Sequence, residues 1–304
     1  MRDAVSPPAT SPLRGILWMV LTGVLFVGVT ALVKVLGTRV PAPEAAFLRY
    51  VLGLVLFLPM LRPLLRMRPP GRVWALVVGR GLAHALGVVC WFYAMARIPI
   101  ADVTAMNYLS PIYVTLGAAL ILGERLAARR LMAVLAALIG ALIILRPGFR
   151  EIGSGHLAML FTAIFFGGSY LMAKMLSERI SAAQVVAMLS LTVTIALTPL
   201  AVIVWVTPHW AEMAILLGVA GLATAGHYTM TLAFRAAPLT VTQPVTFLQL
   251  VWAVSLGMLV FGEPFDPWVI LGGAVIVAAV SFISFREAQI KRRALTPPAP
   301  ATRV

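Results

Sequence analysis

The sequence predicts an all-α integral membrane protein with ten transmembrane helices, arranged as two inverted repeats of five helices. Three observations lead to this fold class. The 304 residues are 61% hydrophobic and only 11% charged, whereas soluble domains are nearer half apolar and a quarter charged. The apolar residues form runs of about 20, the length of helix that crosses a bilayer. The second half of the chain also repeats the pattern of the first half.

The apolar runs do not alternate with polar residues, so helices are favoured over the strands of a membrane barrel. Ten spans are predicted, over residues 14–36, 45–61, 73–95, 101–121, 128–145, 155–175, 183–206, 211–234, 240–261 and 266–285. Short connections rich in proline and glycine separate them. Residues 1–13 are predicted to be a cytoplasmic N-terminal tail. Residues 286–304 are charged and then rich in proline and alanine, so a disordered cytoplasmic tail is expected.

The basic residues indicate how the chain sits in the membrane. When the N-terminus is placed in the cytoplasm, most of the 24 Lys and Arg residues fall on the cytoplasmic side, and Arg49 counts among the few on the outer side. Both termini are therefore predicted to be cytoplasmic, in a multi-pass protein of the inner (plasma) membrane. The net charge of +14 lies mostly between apolar runs, so anionic lipid headgroups are expected as partners and nucleic acid is not. We expect a monomer.

The two halves of the chain match at a nearly constant spacing. A shift of 139 residues places Gly123 and Glu124 on Gly262 and Glu263, and a shift of 140 places Lys34 on Lys174. The predicted repeats are residues 14–145 and 155–285. Because five is odd, the second copy enters the membrane from the opposite side. Such inverted repeats bind their solute near the middle of the bilayer, between the two copies, and work by alternating access.

The segment "AMARIPIADVTAMNYLSPIYVTLGAALILGERL" resembles the EamA-type domain of the drug/metabolite transporter (DMT) superfamily. The second copy, "AFRAAPLTVTQPVTFLQLVWAVSLGMLVFGEPF", is similar, although Pro264 stands where the first copy has Arg125. The resemblance covers residues 14–285. It implies a ten-helix permease for small organic solutes, often an exporter of amino acids or related metabolites. Other members of the superfamily are similar to uptake systems for riboflavin, S-adenosylmethionine or nucleotide sugars.

Polar residues inside predicted spans are costly in lipid and are therefore candidates for the solute path. In the third span Arg80, His84 and Trp91 share one helix face. Arg80 either contacts an anion in a cavity or extends to the cytoplasmic interface. His84 is too deep to extend in this way; it either serves as a proton or solute contact, or is a neutral histidine bonded between helices. His227 and Tyr228 in the eighth span are candidates for the opposite wall.

The fourth and ninth spans, which are equivalent in the repeats, are interrupted by amides and prolines. Pro111 and Pro244 are predicted to kink these helices and free a backbone carbonyl. Asn107 and Gln249 either line the path beside the kinks or bond neighbouring helices. Aromatic residues predicted to line the path, or otherwise to pack between helices, are Trp91, Tyr108, Tyr170, Tyr228, Phe247 and Trp252. Structural roles at helix ends, including gate latching, are predicted for Gly123, Glu124, Gly262 and Glu263.

The sequence therefore predicts a secondary transporter that exports small organic metabolites, with amino acids or aromatic zwitterions favoured, across the inner membrane. Uptake of a larger cofactor such as riboflavin or S-adenosylmethionine is the main alternative. An integral-membrane enzyme is disfavoured because no catalytic motif and no acidic or histidine cluster at one membrane face is present. A non-transporting scaffold is disfavoured by the polar residues within the spans. No catalytic residue, cofactor or metal site is predicted, and the single cysteine, Cys90, excludes an intrachain disulfide.

Overall fold

The structure, a computed structural model, is entirely helical in the part of the chain that it describes. That part comprises residues 12–56, 71–110, 112–113, 128–146, 149, 151–177, 179–180, 182–237, 245 and 247–295. Within it ten helices follow one another: α1 Pro12–Leu36, α2 Ala42–Leu56, α3 Gly71–Met95, α4 Ile100–Asn107, α5 Ala128–Leu145, α6 Ser154–Ser177, α7 Ala182–Ile203, α8 Trp210–Ala236, α9 Phe247–Phe261 and α10 Pro267–Leu295. The predicted all-α class and the ten helices are confirmed.

The length and composition of the helices suit a bilayer. Among the described residues, five helical segments are long and apolar enough to cross a membrane: Leu13–Leu36, Gly71–Met95, Ser154–Ala173, Gln184–Ile203 and Trp210–Met230. Three shorter apolar helices lie in α5, α9 and α10. Large apolar side chains are exposed on the outside of the bundle, for example Leu259 at 85% and Leu17 at 59%. Lipid is the solvent in which such a surface is stable.

The fourth predicted span is interrupted shortly before Pro111, and residues 110, 112 and 113 are helical again. The predicted span was 101–121, but α4 ends at Asn107, and the amides of Tyr108 and Leu109 bond to carbonyls only three residues earlier, at 3.2 and 3.1 Å. Proline has no backbone N–H, so Pro111 cannot donate the usual helical hydrogen bond to the carbonyl four residues earlier. The change in hydrogen bonding occurs at this point, one turn before Pro111. Pro111 itself and residues 114–121 lie outside the described residues.

The last helix is longer than the sequence predicts. α10 continues to Leu295, so residues 286–295 are helical and the expectation of disorder is wrong for them. These residues, REAQIKRRAL, are almost all strong helix formers, and this propensity outweighs their polar composition. Arg286 Nη1 also donates to Gln289 Oε1 at 2.6 Å, one turn further on. Residues 296–304 lie outside the described residues.

The helix contacts follow a two-fold pattern between the halves of the chain. The two most extensive contacts are α1 with α8 and α3 with α6. Exchange of the repeats converts one of these pairs into the other, because α6 is the counterpart of α1 and α8 is the counterpart of α3. The pairs α5 with α10, α2 with α7 and α4 with α9 each join a helix to its own counterpart. The duplication read from the sequence is therefore also a duplication of the packing.

The helices α1 and α8 run in opposite directions. Thr22 Oγ1 lies 2.8 Å from Thr229 Oγ1, and Gly15 near the start of α1 lies against Ala237 just after the end of α8. The helices α3 and α6 are also antiparallel, because Ile98 after α3 contacts Gly155 at the start of α6.

The repeats are inverted because α1 and α3 run in the same direction. Lys34 Nζ, in the last turn of α1, donates to the carbonyl of Ile98, just after α3, at 3.0 Å. Since α6 is antiparallel to α3, it is also antiparallel to α1, its own counterpart. The inverted arrangement is therefore confirmed. We call the end of the bundle that contains this contact the Lys34 end; the charge distribution predicts that it faces the outside.

Candidate solute-binding site

Two polar residues of α3 face the interior of the bundle. Arg80 is 7% exposed, and its Nη1 donates a 2.9 Å hydrogen bond to the carbonyl of Val185 in α7. Gly81 packs against Thr192, and Val185 lies about two turns before Thr192 in α7, so the guanidinium of Arg80 is directed towards the starts of α3 and α7. His84, one turn further along α3, is 4% exposed, and its Nδ1 lies 3.2 Å from Ser169 Oγ of α6.

An aromatic wall from α6 continues this face. Phe166 stacks on the His84 ring with centroids 4.8 Å apart, and Tyr170 follows one turn later at 5.9 Å from Phe166. Gly87 allows this approach, since a Cβ there would lie 2.6 Å from a Phe166 ring carbon. Tyr170 shares the buried face of α6 with Phe166 and yet is 38% exposed. The aromatic wall is therefore partly accessible at Tyr170.

A second buried arginine comes from α2 and was not predicted as a site residue. Arg49 is 6% exposed, and its guanidinium lies over the Tyr50 ring at 4.1 Å. Tyr50 is 5% exposed and meets the His84 ring edge-on at 6.3 Å. The sequence analysis placed Arg49 with the outer cations near the start of a span at 45. Because α2 begins at Ala42, Arg49 lies two turns inside the helix.

The eighth helix contributes His227 from the opposite side. Its ring meets Phe26 of α1 edge-on at 5.2 Å. The helices α2 and α8 approach each other here, because a Cβ at Gly53, one turn after Arg49, would lie 3.7 Å from Thr224 Oγ1, one turn before His227. We call the set Arg49, Tyr50, Arg80, His84, Phe166, Tyr170 and His227 the central cluster.

The central cluster has positive charge and no acidic partner in the described part of the chain. No carboxylate there forms an ion pair with Arg49 or Arg80. The Nε atom of Arg80 is buried and has no hydrogen-bond partner. Guanidinium groups bind carboxylates and phosphates with paired hydrogen bonds. The arrangement can therefore bind an acidic group, with aromatic rings beside it for an apolar body.

The amide residues of α4 and α9 lie inside the bundle. Asn107 ends α4, and its Oδ1 is buried and accepts no hydrogen bond from the described residues. The neighbouring Tyr108 interacts with the backbone of Leu250 in α9. Gln249 packs with its Cβ against Gly23 of α1. The predicted part of these residues in solute binding stays a prediction.

Two aromatic candidates are on the wrong face. Tyr228 is 66% exposed on the stripe of α8 that carries Leu217, itself 57% exposed. Trp252 is 40% exposed on the stripe of α9 that carries Leu248 and Leu259. Both stripes form the outer, lipid-type surface, so the expectation that Tyr228 and Trp252 line the path is corrected.

Of the remaining candidate residues, Trp91 packs inside the bundle, and several others have side chains that are not among those described. Trp91 is 8% exposed and meets Phe166 edge-on at 6.1 Å, which extends the aromatic wall towards the Lys34 end. Phe247 begins α9, but its side chain is not among those described. Pro111, Gly123, Glu124 and Pro244 lie outside the described residues, so the predictions for them stay predictions. Among the residues described, no group of three or more His, Cys, Asp or Glu is placed to bind a metal.

At the Lys34 end of the bundle, a partly buried carboxylate joins several helices. Gly262 ends α9 with a positive φ of 63°, and the turn brings Glu263 back into the bundle. Its Oε1 lies 2.5 Å from Lys34 Nζ, and its Oε2 accepts the amide of Ile100 at 3.0 Å. Glu263 thus joins α1, α4 and α9.

A buried hydrogen-bonded pair and a salt bridge also join helices at the same end. Asp102 Oδ2 lies 2.9 Å from His156 Nε2, with both side chains buried between α4 and α6. Arg39, after α1, binds Glu212 in the first turn of α8. This hydrogen bond is the main cause that raises the pKa of Arg39. The sequence analysis identified neither pair, because each joins residues far apart in the chain.

Comparison with known proteins gives a consistent result over both halves. The model of the EamA-like transporter family matches residues 13–146 and again residues 153–285. A riboflavin transporter of Rhizobium johnstonii is 35% identical over 288 residues, which cover 92% of this chain and 93% of the relative. A pseudopaline exporter of Pseudomonas aeruginosa is 31% identical over 89% of this chain and 95% of the relative.

More distant relatives cover the same length. An S-adenosylmethionine uptake transporter of Rickettsia prowazekii is 27% identical over 90% of this chain and 94% of the relative. A solved structure, described only as the crystal structure of a protein, is similar over 94% of this chain and 100% of its own length, with a TM-score of 0.60 and 18% identity. At that identity the likeness concerns the fold alone.

Proposed function

The chain belongs to the EamA-like transporter family, and from this premise we propose that it exports amino acids or related aromatic zwitterions across the inner membrane by alternating access. It is a multi-pass membrane transporter of a small-molecule solute and not an enzyme. The proposal concerns the solute, the direction, the location in the inner membrane and the residues that bind the solute.

The central cluster is the observation that supports this solute class. Arg80 has a buried Nε without a partner, and it lies within electrostatic range of Tyr50 and Tyr170. A carboxylate at Arg80 places the rest of the solute against His84, Phe166 and Tyr170, whose rings are 4.8 to 5.9 Å apart. Aromatic rings favour an apolar or aromatic body through edge and stacking contacts.

The amide groups give a second polar contact without a fixed charge. Asn107 Oδ1 is buried and accepts no hydrogen bond from the described residues. A free carbonyl oxygen of this kind is an acceptor for the ammonium group of a zwitterion. The proposed site therefore has donors for a carboxylate on α3 and an acceptor at the end of α4.

Uptake of a larger cofactor is the second candidate, and the relatives support it. Riboflavin transporters and S-adenosylmethionine uptake transporters are similar over nine tenths of this chain, beside the pseudopaline exporter. The relatives thus differ in both solute and direction. The export proposal follows from the resemblance to amino acid exporters in the same superfamily.

Exchange in proteoliposomes tests the proposal. The purified full-length protein is reconstituted, loaded with unlabelled phenylalanine or tyrosine, and mixed with the labelled amino acid outside; riboflavin and S-adenosylmethionine are tested in parallel. We expect exchange of the aromatic amino acid, reduced at least tenfold in Arg80→Ala and His84→Ala. Tyr228→Ala, on the lipid face, is the matched control and should exchange normally.

Other results would contradict the proposal in distinct ways. Exchange of riboflavin or S-adenosylmethionine, without exchange of the amino acids, would establish the second candidate. Normal exchange by folded Arg80→Ala and His84→Ala would remove these residues from the site. Direction is measured separately in cells, where an exporter lowers the internal concentration of its solute and confers resistance to a toxic analogue.

A further inference from the structure

The two buried arginines of the central cluster carry an inference about the solute, which rests on the proposed function and narrows it. We propose that the solute is a small organic dianion with two acidic groups, one bound by Arg49 and the other by Arg80, at opposite ends of an apolar or aromatic body. An amino acid meets this condition only when it carries a second acidic group.

Both arginine side chains are buried inside the bundle. Arg49 is 6% exposed and Arg80 is 7% exposed, and a guanidinium stays charged in proteins. Arg80 uses one of its donors on the Val185 carbonyl, and its Nε is left without a partner. Among the described residues, the contact given for the Arg49 guanidinium is the face of the Tyr50 ring. A buried charge is strongly unfavourable unless it is paired, so each guanidinium requires an anion.

No acidic side chain among the described residues supplies these anions. The chain has ten acidic residues. Among the described residues, the acidic side chains with a basic partner, Asp102, Glu212, Glu263 and Asp266, all bind basic groups other than Arg49 and Arg80. Glu44 accepts the amide of Val206 at 2.8 Å, and Glu151 is exposed. The others, Asp3, Glu124, Glu178 and Glu287, stand at or beyond the ends of predicted spans. The solute is left as the source of negative charge in the middle of the membrane.

The two arginines are separated along the membrane normal. Arg49 lies roughly 10 Å below the Lys34 end of α2, and Arg80 lies roughly 14 Å above the opposite end of α3, at a rise of 1.5 Å per residue. α3 has 25 residues, which makes it about 37 Å long. Since Ala42 and Phe92 line one small pocket at the Lys34 end, the Cα atoms of Arg49 and Arg80 differ in level by roughly 8 Å.

Aromatic rings fill the interval between the two charges. Starting from Arg49, the rings of Tyr50, His84, Phe166 and Tyr170 follow at centroid separations of 6.3, 4.8 and 5.9 Å. Tyr170 is 38% exposed and lies within electrostatic range of Arg80. A solute with an apolar body and an acidic group at each end matches this order of charge, rings and charge.

Both arginines belong to the first repeat. The equivalent positions of the second repeat, by the shifts of 140 and 139 residues, are Leu189 and Val219, which are buried at 7% and 0% exposure. The positive charge is therefore confined to one wall of the site. The second repeat contributes Ser169, Tyr170 and His227 to the site but no lysine or arginine of the central cluster, so both acidic groups are bound by the first repeat.

A matched pair of probes tests the inference on the full-length protein. Phenylacetate has one carboxylate on a benzene ring, and 1,4-phenylenediacetate has two. Binding is measured by ligand-induced thermal shift and by inhibition of phenylalanine exchange in proteoliposomes. We expect the diacid to bind at least tenfold more tightly than the monoacid. Arg49→Gln should abolish this preference, so that the diacid binds the variant no more tightly than phenylacetate does.

Two variants separate loss of charge from loss of fold. Arg49→Lys keeps the charge and should keep a preference for the diacid. Arg97→Gln removes an exposed arginine that stacks on Tyr93 at 3.6 Å, outside the cluster, and should leave both affinities unchanged.

Equal binding of the two probes by the wild type overturns the inference, as does an unchanged preference in Arg49→Gln. Phenylalanine exchange without a diacid preference overturns it and leaves the proposed function intact. Failure of all exchange and binding overturns the proposed function as well.

Discussion

Lys34 Nζ and Glu263 Oε1 form a salt bridge of 2.5 Å that joins the end of α1 to the turn after α9. The two residues belong to different repeats, and the same carboxylate accepts the amide of Ile100 at the start of α4. Three helices are therefore held together at the Lys34 end by one side chain. In an alternating-access transporter, opening of this end requires these contacts to separate.

Glu263→Gln is the first prediction. The variant removes the salt bridge and leaves Lys34 with the Ile98 carbonyl as its remaining partner. The two side chains are 21% and 11% exposed, so the loss is intermediate between that of a surface pair and that of a buried pair, about 1–3 kcal/mol of stability. Thermal unfolding in detergent should show a Tm lowered by several degrees.

The matched control for Glu263→Gln lies at the same end. Arg39, in the pair with Glu212, has a side chain that is 39% exposed. Arg39→Gln should therefore lower the Tm less than Glu263→Gln does. An equal or larger shift in Arg39→Gln would show that Glu263 contributes no more than an ordinary surface charge.

Asp102 and His156 give the second prediction. Their side chains are 2% and 6% exposed and lie 2.9 Å apart. Loss of one partner leaves the other polar group buried, so Asp102→Leu and His156→Leu should each cost about 3 kcal/mol of stability. Replacement of both removes the buried polar groups together, and apolar substitutes for a buried pair are often nearly neutral.

A double-mutant cycle measures this coupling. The stabilities of the two single variants and of Asp102→Leu/His156→Leu are compared by thermal or denaturant unfolding in the same detergent. We expect the double variant to be more stable than either single variant. Additive losses would show that the pair does not act as a unit.

How much of the site could be predicted depends on what each residue signals. Arg80 and His84 could be found because a charged and a titratable residue share one face of an apolar helix. Arg49 could not be separated from a cation at a helix end, since the start of α2 was placed three residues too late. Its counterpart in the second repeat is Leu189, so the duplication gave no signal either.

The faces of α8 and α9 show a second limit. Helical spacing groups residues on one face, but it does not tell which face packs against neighbours. Tyr228 and Trp252 stand on the outer stripes of helices whose other faces pack against α1. In a membrane both faces are apolar, so the hydrophobic pattern that orients a soluble helix is weak here. The inverted repeats, in contrast, could be predicted from rare residues at constant spacing.

The crossing of α5 and α10 gives the third prediction. A Cβ at Gly140 would lie 2.7 Å from the Gly272 carbonyl oxygen, and a Cβ at Gly272 would lie 2.5 Å from that of Gly140. The two backbones are thus in direct contact, which is the usual reason for small residues between membrane helices. Gly140→Ala should cost about 1–3 kcal/mol, because the helices must separate.

Gly221→Ala is the control for the crossing. A Cβ at Gly221 meets nothing within 4 Å, and the residue is exposed on α8. The substitution should leave the Tm unchanged or raise it slightly, since alanine favours a helix over glycine by about 1 kcal/mol. A similar loss of stability in both variants would show that the close contact of the backbones has no special cost.

The orientation of the bundle is the last prediction, and two exposed positions test it. Thr207 lies at the Lys34 end, where its carbonyl accepts from Arg39, and Arg72 is exposed in the first turn of α3 at the opposite end. In a Cys90→Ala background, Thr207→Cys should react with a membrane-impermeant maleimide on intact cells, because the charge distribution places the Lys34 end outside. Arg72→Cys should react only after the membrane is permeabilised. The reverse pattern would place both termini outside, and labelling of both positions on intact cells would contradict a bundle that spans the membrane between them.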